Sequence, residues 1–170
     1  MNNPYQTPSS KLAKNTRDLE YVGFWSRTGA SIIDTVILLA IIYPILFAIY
    51  GKEYFTKTDF LLGVADFLLS YVLPAVAVLL FWFYKSATPG KMVVRASIVD
   101  AKTGGKPSMG QLVGRYFSYY LSALPLGLGI FWVGWDAKKQ GWHDKLAGTL
   151  VVRPADPGTN SVKFSIDPAR

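Results

Sequence analysis

Residues 21–39 read Tyr21-Val-Gly-Phe-Trp-Ser-Arg27-Thr-Gly-Ala-Ser31-Ile-Ile-Asp34-Thr35-Val-Ile-Leu-Leu39. An arginine stands at the mouth of an apolar helix and a carboxylate sits inside it. Arg27 and Asp34 are seven residues apart, about two helical turns, so with Ser31 between them and Thr35 beside Asp34 they form one polar stripe. An ionisable group in hydrocarbon is costly, so it faces a partner, a water-filled cavity or a ligand path. The plainer reading is that Asp34 only locks helices together.

Outward from this stretch, the apolar run continues from about Thr28 to Tyr50 with Asp34 as its one charge, long enough to span about 30 Å of hydrocarbon. Phe24 and Trp25 suit an interfacial aromatic anchor at one end, Tyr50 and Tyr54 at the other, and Pro44 is a candidate kink. A second apolar run, Phe60 to Tyr84, also spans; it carries Asp66 near its start, at headgroup level, and Pro74 at its middle. The third, Tyr116 to Trp135, is broken by Leu124-Pro-Leu-Gly-Leu-Gly129, which weakens a straight helix.

Composition agrees with a membrane domain. Of 170 residues, 51% are hydrophobic and 15% aromatic, and the mean hydropathy is positive, more apolar than an ordinary soluble domain. With no cysteine, there is no disulfide framework, thiol nucleophile or Cys-based metal site, and a single histidine, His143, argues against a His-ligated metal centre. No catalytic residue, cofactor or metal is assigned, since His143 beside Asp144 makes no triad and no nucleophile is indicated. The net charge of +7 lies in blocks flanking the apolar runs, which argues for topology and against nucleic acid. No cleavable secretory leader is expected, because the first apolar run follows a polar tail and is too long for one.

Lys and Arg number four before Thr28, two in 51–59, six in 85–115 and four in 136–153. The positive-inside rule puts the N-terminus and the 85–115 segment in the cytoplasm. A complete third crossing would strand the last four cations outside. The β-branched segments Val93 to Asp100 and Leu150 to Val152 each lack a strand partner alone but could pair with one another on the cytoplasmic face. Both points favour a re-entrant hairpin over a third crossing. Ser108 is expected to N-cap a helix carrying Gln111 and Arg115. Pro89-Gly90-Lys91 is no phosphate loop, because the upstream glycine is missing.

The expected fold is therefore an all-α polytopic membrane protein with two full transmembrane helices, a Pro/Gly-broken third segment and a small cytoplasmic β element. Residues 1–20 are expected to be a disordered tail, 21–153 the membrane domain and 154–170 a flexible tail. The bilayer is an expected partner, with Lys138, Lys139 and Lys145 on anionic headgroups and Trp142-His143 as an interfacial anchor. Two or three apolar segments make a thin wall for a pathway, which favours a homo-oligomer or a scaffold.

The chain resembles the RDD family of small, mostly bacterial integral membrane proteins, named for one arginine and two aspartates. Arg27 matches the arginine opening the first helix, Asp34 the aspartate within it, and Asp144 in Trp142-His-Asp-Lys-Leu-Ala-Gly-Thr-Leu-Val-Val152 the second aspartate. Pro89-Gly90-Lys91, Arg115 and the Asp136 to Gln140 loop also look like the family's pattern. The resemblance implies a bacterial inner-membrane location and transport, with monovalent cation/proton exchange for some members.

Arg27 and Asp34 lie about 10 Å apart along the helix axis, too far for easy pairing. Asp144 is the expected carboxylate for Arg27, because its segment returns to the same face and arginine suits a bidentate pair. Asp34 is left to be answered by Arg115 or Lys91, or to be kept neutral by desolvation. In a transporter Asp34 would exchange a proton for a cation, with Ser31 and Thr35 adding oxygens. In a scaffold, Arg27, Asp34, Arg115 and Asp144 would form a polar knot.

Overall fold

A computed structural model describes residues 19–56, 61–155 and 162. Its spine is helix α1, Phe24–Tyr50, whose 27 residues reach about 40 Å at the helical rise, enough to cross a bilayer core. It starts one turn ahead of Thr28, whose hydroxyl donates back to the Phe24 carbonyl at 3.0 Å, and it continues through Pro44. Only Ala30, Ile42 and Leu46 are buried along it, while Ile32, Val36, Ile41 and Ile49 are more than half exposed. A helix apolar all round, with so little of it covered by protein, is matched to lipid.

Helix α2, Glu53–Thr56, leads to a second stretch long and apolar enough to cross, Val64–Val93. It begins with α3, Val64–Phe67, widens into a π turn over Leu68–Val72 and continues as α4, Leu73–Lys85. The widening has a cause in Pro74, which lacks an N–H and would press its ring on the Ser70 carbonyl in a regular α turn. Asp66 is buried at the start of this stretch, accepting from Leu62 N at 3.1 Å and Ser70 Oγ at 2.8 Å. Phe60, where sequence starts the run, lies outside the described residues, as do 1–18, 156–161 and 163–170 of the two tails.

The chain turns at Ser86, in the left-handed region at φ 53°, and enters α5, Pro89–Val93, with Thr88 at the N-cap position but its hydroxyl making no cap bond. This short helix lies against α1 so closely that a Cβ on Gly90 would sit 2.0 Å from the Ala30 carbonyl oxygen. Val93 is therefore helical, and strand β2 runs over Ser97–Asp100 only, shorter than the β-branched pattern suggests.

Three strands form one sheet in the order β1-β3-β2, with β1 at Leu19–Tyr21 and β3 at Thr149–Pro154, both pairings antiparallel. Ser97 faces Val152 and Asp100 faces Thr149, so the two β-branched segments pair as expected. Strand β1 is an addition, with Tyr21 opposite Val152 on the other edge of β3. Leu19, Glu20 and Pro154, assigned to the tails by composition, belong to the sheet. Val22, Ala96, Ile98, Leu112 and Val151 pack with Trp82 as its apolar core.

The third run starts with α6, Met109–Ala123, held by a capping box between Ser108 and Gln111. After a break in which Leu126 and Gly127 take φ of 52° and 76°, it continues as α7, Leu128–Phe131, and a 3-10 turn, Trp132–Gly134, bent by 114° from α6. Helix α8, Trp142–Ala147, then delivers the chain to β3. Because β2 precedes this run and β3 follows it, residues 109–148 leave and rejoin the same sheet.

Gly90→Ala is expected to lower stability by about 1–3 kcal/mol or abolish folding through overpacking against rigid backbone. Gly114→Ala, where a Cβ meets nothing within 4 Å, is expected to be neutral or stabilising. Thermal unfolding of both variants in detergent, followed by tryptophan fluorescence, checks the contrast.

Candidate functional site

The polar centre is assembled where α1, α6 and α8 meet beneath the sheet. Arg27, in the first turn of α1, uses every guanidinium nitrogen: Nε donates to the Val22 carbonyl at 2.9 Å, Nη1 to Asp144 Oδ2 at 2.5 Å and Nη2 to the Lys139 carbonyl at 2.6 Å. The expected pairing of Arg27 with Asp144 is thus present. Asp144 also ion-pairs through Oδ1 with Arg115, and both residues are fully buried. Arg115 donates further to Thr149 Oγ1 at 2.6 Å and lies over the Trp82 and Tyr119 rings, 5.4 and 5.8 Å from their centroids.

Asp144 occupies the first turn of α8 and accepts from the Gly141 amide at 3.0 Å, closing its own helix start. Burial by itself would raise the Asp144 carboxyl, but Arg115 and then Arg27 outweigh it and hold the group well below the usual carboxylate range. His143 is packed inside, its ring stacked on Tyr119 at 3.8 Å, and is no interfacial anchor. Burial pushes it down to about 3, so it is neutral near pH 7. Gly141 must lack a side chain, since a Cβ there would lie 2.5 Å from His143 Cε1.

The Asp136 loop supports Arg27 from below. Asp136 accepts from the amides of Lys138 and Gln140, each at 3.1 Å, and ion-pairs with Lys145, which fixes the Lys139 carbonyl that receives Arg27. Lys139 Nζ donates to the Gly134 carbonyl at 3.0 Å, so two of the three lysines read as headgroup contacts are engaged within the chain.

Asp34 hydrogen-bonds to neither Arg115 nor Lys91. Its Oδ2 accepts from Thr88 Oγ1 at 2.5 Å and its Oδ1 from the Gly90 amide at 2.7 Å, so it binds the start of α5. Arg115 is committed to Asp144, and the bare Gly90 lets the α5 backbone reach the carboxylate first. Thr35 Oγ1 donates to the Ser31 carbonyl at 2.9 Å. Ser31, Asp34, Thr35 and Lys91 together line a cleft of about 320 Å³ walled by Trp82 and three tyrosines. The predicted residues thus fall into two groups, Arg27, Arg115, Asp136 and Asp144 in the polar centre and Ser31, Asp34, Thr35 and Lys91 at the cleft.

Sequence reasoning missed Thr88, Tyr119 and Thr149; the last accepts from Gln140 Nε2 through its carbonyl at 2.8 Å. Only Thr88 carried a readable signal, as a capping residue directly before Pro89 and Gly90. Among the described residues, no group of three or more His, Cys, Asp or Glu could hold a metal ion.

Two helices able to span a bilayer, a bent apolar third run and an Arg27–Asp144–Arg115 cluster beside the sheet define a helical membrane-type protein. The RDD family model matches residues 21–148, and the chain belongs to the RDD family. It is 31% identical over 146 residues to the uncharacterized protein YxaI of Bacillus subtilis strain 168, covering 76% of this chain and 95% of that protein. It is 41% identical over 73 residues to the uncharacterized protein RP437 of Rickettsia prowazekii strain Madrid E, covering 43% of this chain and 40% of that one. No solved structure matches it.

Asp144→Asn is expected to cost about 3–5 kcal/mol, because it leaves two guanidiniums without their counter-charge, one of them fully buried. Acid acts through two groups. The unfolded chain protonates His at an ordinary 6.5 and the fold only at about 3, so stability falls as pH drops between these values. The Asp144 contribution is complete above its ordinary 3.8 and is lost as pH falls toward its lower folded value. Melting temperature against pH should decline below 6.5, with the upper part of the decline absent in His143→Gln.

Proposed function

We propose that the chain is a multi-pass transporter of small solutes, monovalent cations included, in which the cleft beside Asp34 is the solute site and Arg27, Arg115 and Asp144 are the frame that holds its walls. One observation carries this: Asp34, Ser31 and Thr35 open on a cleft of about 320 Å³ within the helical bundle. The Asp34 carboxylate spends two of about four acceptor positions on Thr88 and Gly90, leaving capacity for an ion or a proton. No covalent chemistry is part of this role.

The topology that goes with it puts the sheet and the N-terminus in the cytoplasm of a bacterial inner membrane, by the excess of Lys and Arg around the sheet. The third run re-enters and turns back at Pro125–Gly129; the pairing of β2 with β3 supports this, since both ends of the run must lie on one side. Its irregular backbone then has protein around it, as such backbone at membrane depth requires. Homo-oligomerisation would thicken the wall of the cleft, and the exposed apolar faces of α1 and α4 would meet lipid or a second copy.

The scaffold reading also has an observation in its favour, because both Asp34 oxygens already serve as acceptors for α5. Proteoliposome flux separates the two. With Asp34→Asn, transport predicts at least about a tenfold loss of sodium, potassium or proton flux in protein that still folds, one interaction's worth of free energy. Unchanged flux with a lowered melting temperature would assign Asp34 to the scaffold instead.

A further inference from the structure

The cleft beside Asp34 holds a cation with no hydrogen-bonded counter-ion. Lys91 reaches the cleft from α5 and is only 8% exposed. Its ammonium makes no hydrogen bond or ion pair with any described residue; its neighbour is the Trp82 ring face, 5.6 Å away at the centroid. The carboxylate that shares the cleft, Asp34, makes its hydrogen bonds to Thr88 and Gly90 and none to Lys91.

Two further features have the same sign. Trp82 Nε1–H, in the same wall, is buried without an acceptor, and the Tyr116 and Tyr120 hydroxyls stand 3.4 Å apart at the cleft. By formal charge, Arg27, Lys91 and Arg115 face Asp34 and Asp144, an excess of one cation, with His143 neutral. An unpaired charge away from water is costly, and one bound negative charge removes the cost.

We propose that this cleft binds a singly charged oxyanion group, a carboxylate or a phosphodiester, with Lys91 Nζ as its counter-ion and the Tyr116 and Tyr120 hydroxyls as neutral donors. The cleft volume suits a small carboxylate or a lipid headgroup without its tails. The proposal narrows the solute reading at this cleft to solutes that carry an anionic group, and rests on that reading only for the claim that what binds is also moved. Sidechain chemistry at Lys91 matters here as charge, so arginine can replace it and glutamine cannot.

Purified full-length protein in dodecyl maltoside is titrated with sodium acetate in exchange for chloride at constant sodium, and separately with phosphatidylglycerol against phosphatidylcholine. Melting temperature reads the first titration and native mass spectrometry the second. One saturable equivalent of acetate or phosphatidylglycerol is expected, weakened at least about tenfold in Lys91→Gln, as for one partner of a buried charge pair. Lys91→Arg should restore binding, and Lys85→Gln, on the exposed end of α4, should match the wild type. Acetate binding identifies a free carboxylate as the ligand, and phosphatidylglycerol binding a headgroup. Binding of neither by the wild type, or equal binding by Lys91→Gln, overturns the proposal. Flux is scored apart: binding without movement of any solute leaves this site standing and ends the transport reading, and flux without binding does the reverse.

Discussion

The structure depends on one carboxylate held between two guanidiniums. Asp144, fully buried, joins Arg27 at the start of the first span to Arg115 on the third apolar run, and its own helix leads straight into the central strand. Three parts of the chain far apart in sequence are tied at one point. Such a site is poor insulation against mutation, since the removal of any member leaves charge in a medium that cannot solvate it. It is also directional: arginine forks accept few geometries, so the triad fixes where the third run and the sheet sit relative to α1.

Around that point the fold solves a membrane problem with ordinary devices. Irregular backbone at the Leu124–Gly127 break and in the Asp136 loop is satisfied by protein: Gly127 N donates to Ala123, Leu128 N to Pro125, and Asp136 collects two loop amides. The close approach of α5 to α1 needs a bare Gly90, and the same approach brings an amide to Asp34. Packing and polar satisfaction are therefore coupled here, and the Pro89-Gly90-Lys91 stretch has a distinct physical task at each of its residues. Pro89 opens the helix, Gly90 lets it dock, and Lys91 turns its charge into the cleft.

Much of the architecture was legible in the chain. The two long apolar runs, the break at Pro125–Gly129, the Ser108 cap and the pairing of Arg27 with Asp144 follow from hydropathy, turn chemistry and the need of a buried cation for an anion. Strand β1 was not legible, because three residues without alternation, Leu19 to Tyr21, become a strand only when β3 offers an edge. Asp34 was misassigned for a related reason. Side-chain cations were the visible candidates, whereas the winning donors were a backbone amide and a hydroxyl.

The sequence by itself determined that this is a membrane-type protein, where the helices long and apolar enough to span lie and which few charges must be paired, since the cost of charge and unpaired backbone in lipid leaves few alternatives. Only the tertiary structure decided which partner each charge took. Hydrogen-bond partners are chosen by reach, and reach depends on packing: a missing Cβ at Gly90 gave Asp34 to α5, the burial of Arg115 beside Thr149 gave it to Asp144, and Lys91 was left facing a cleft.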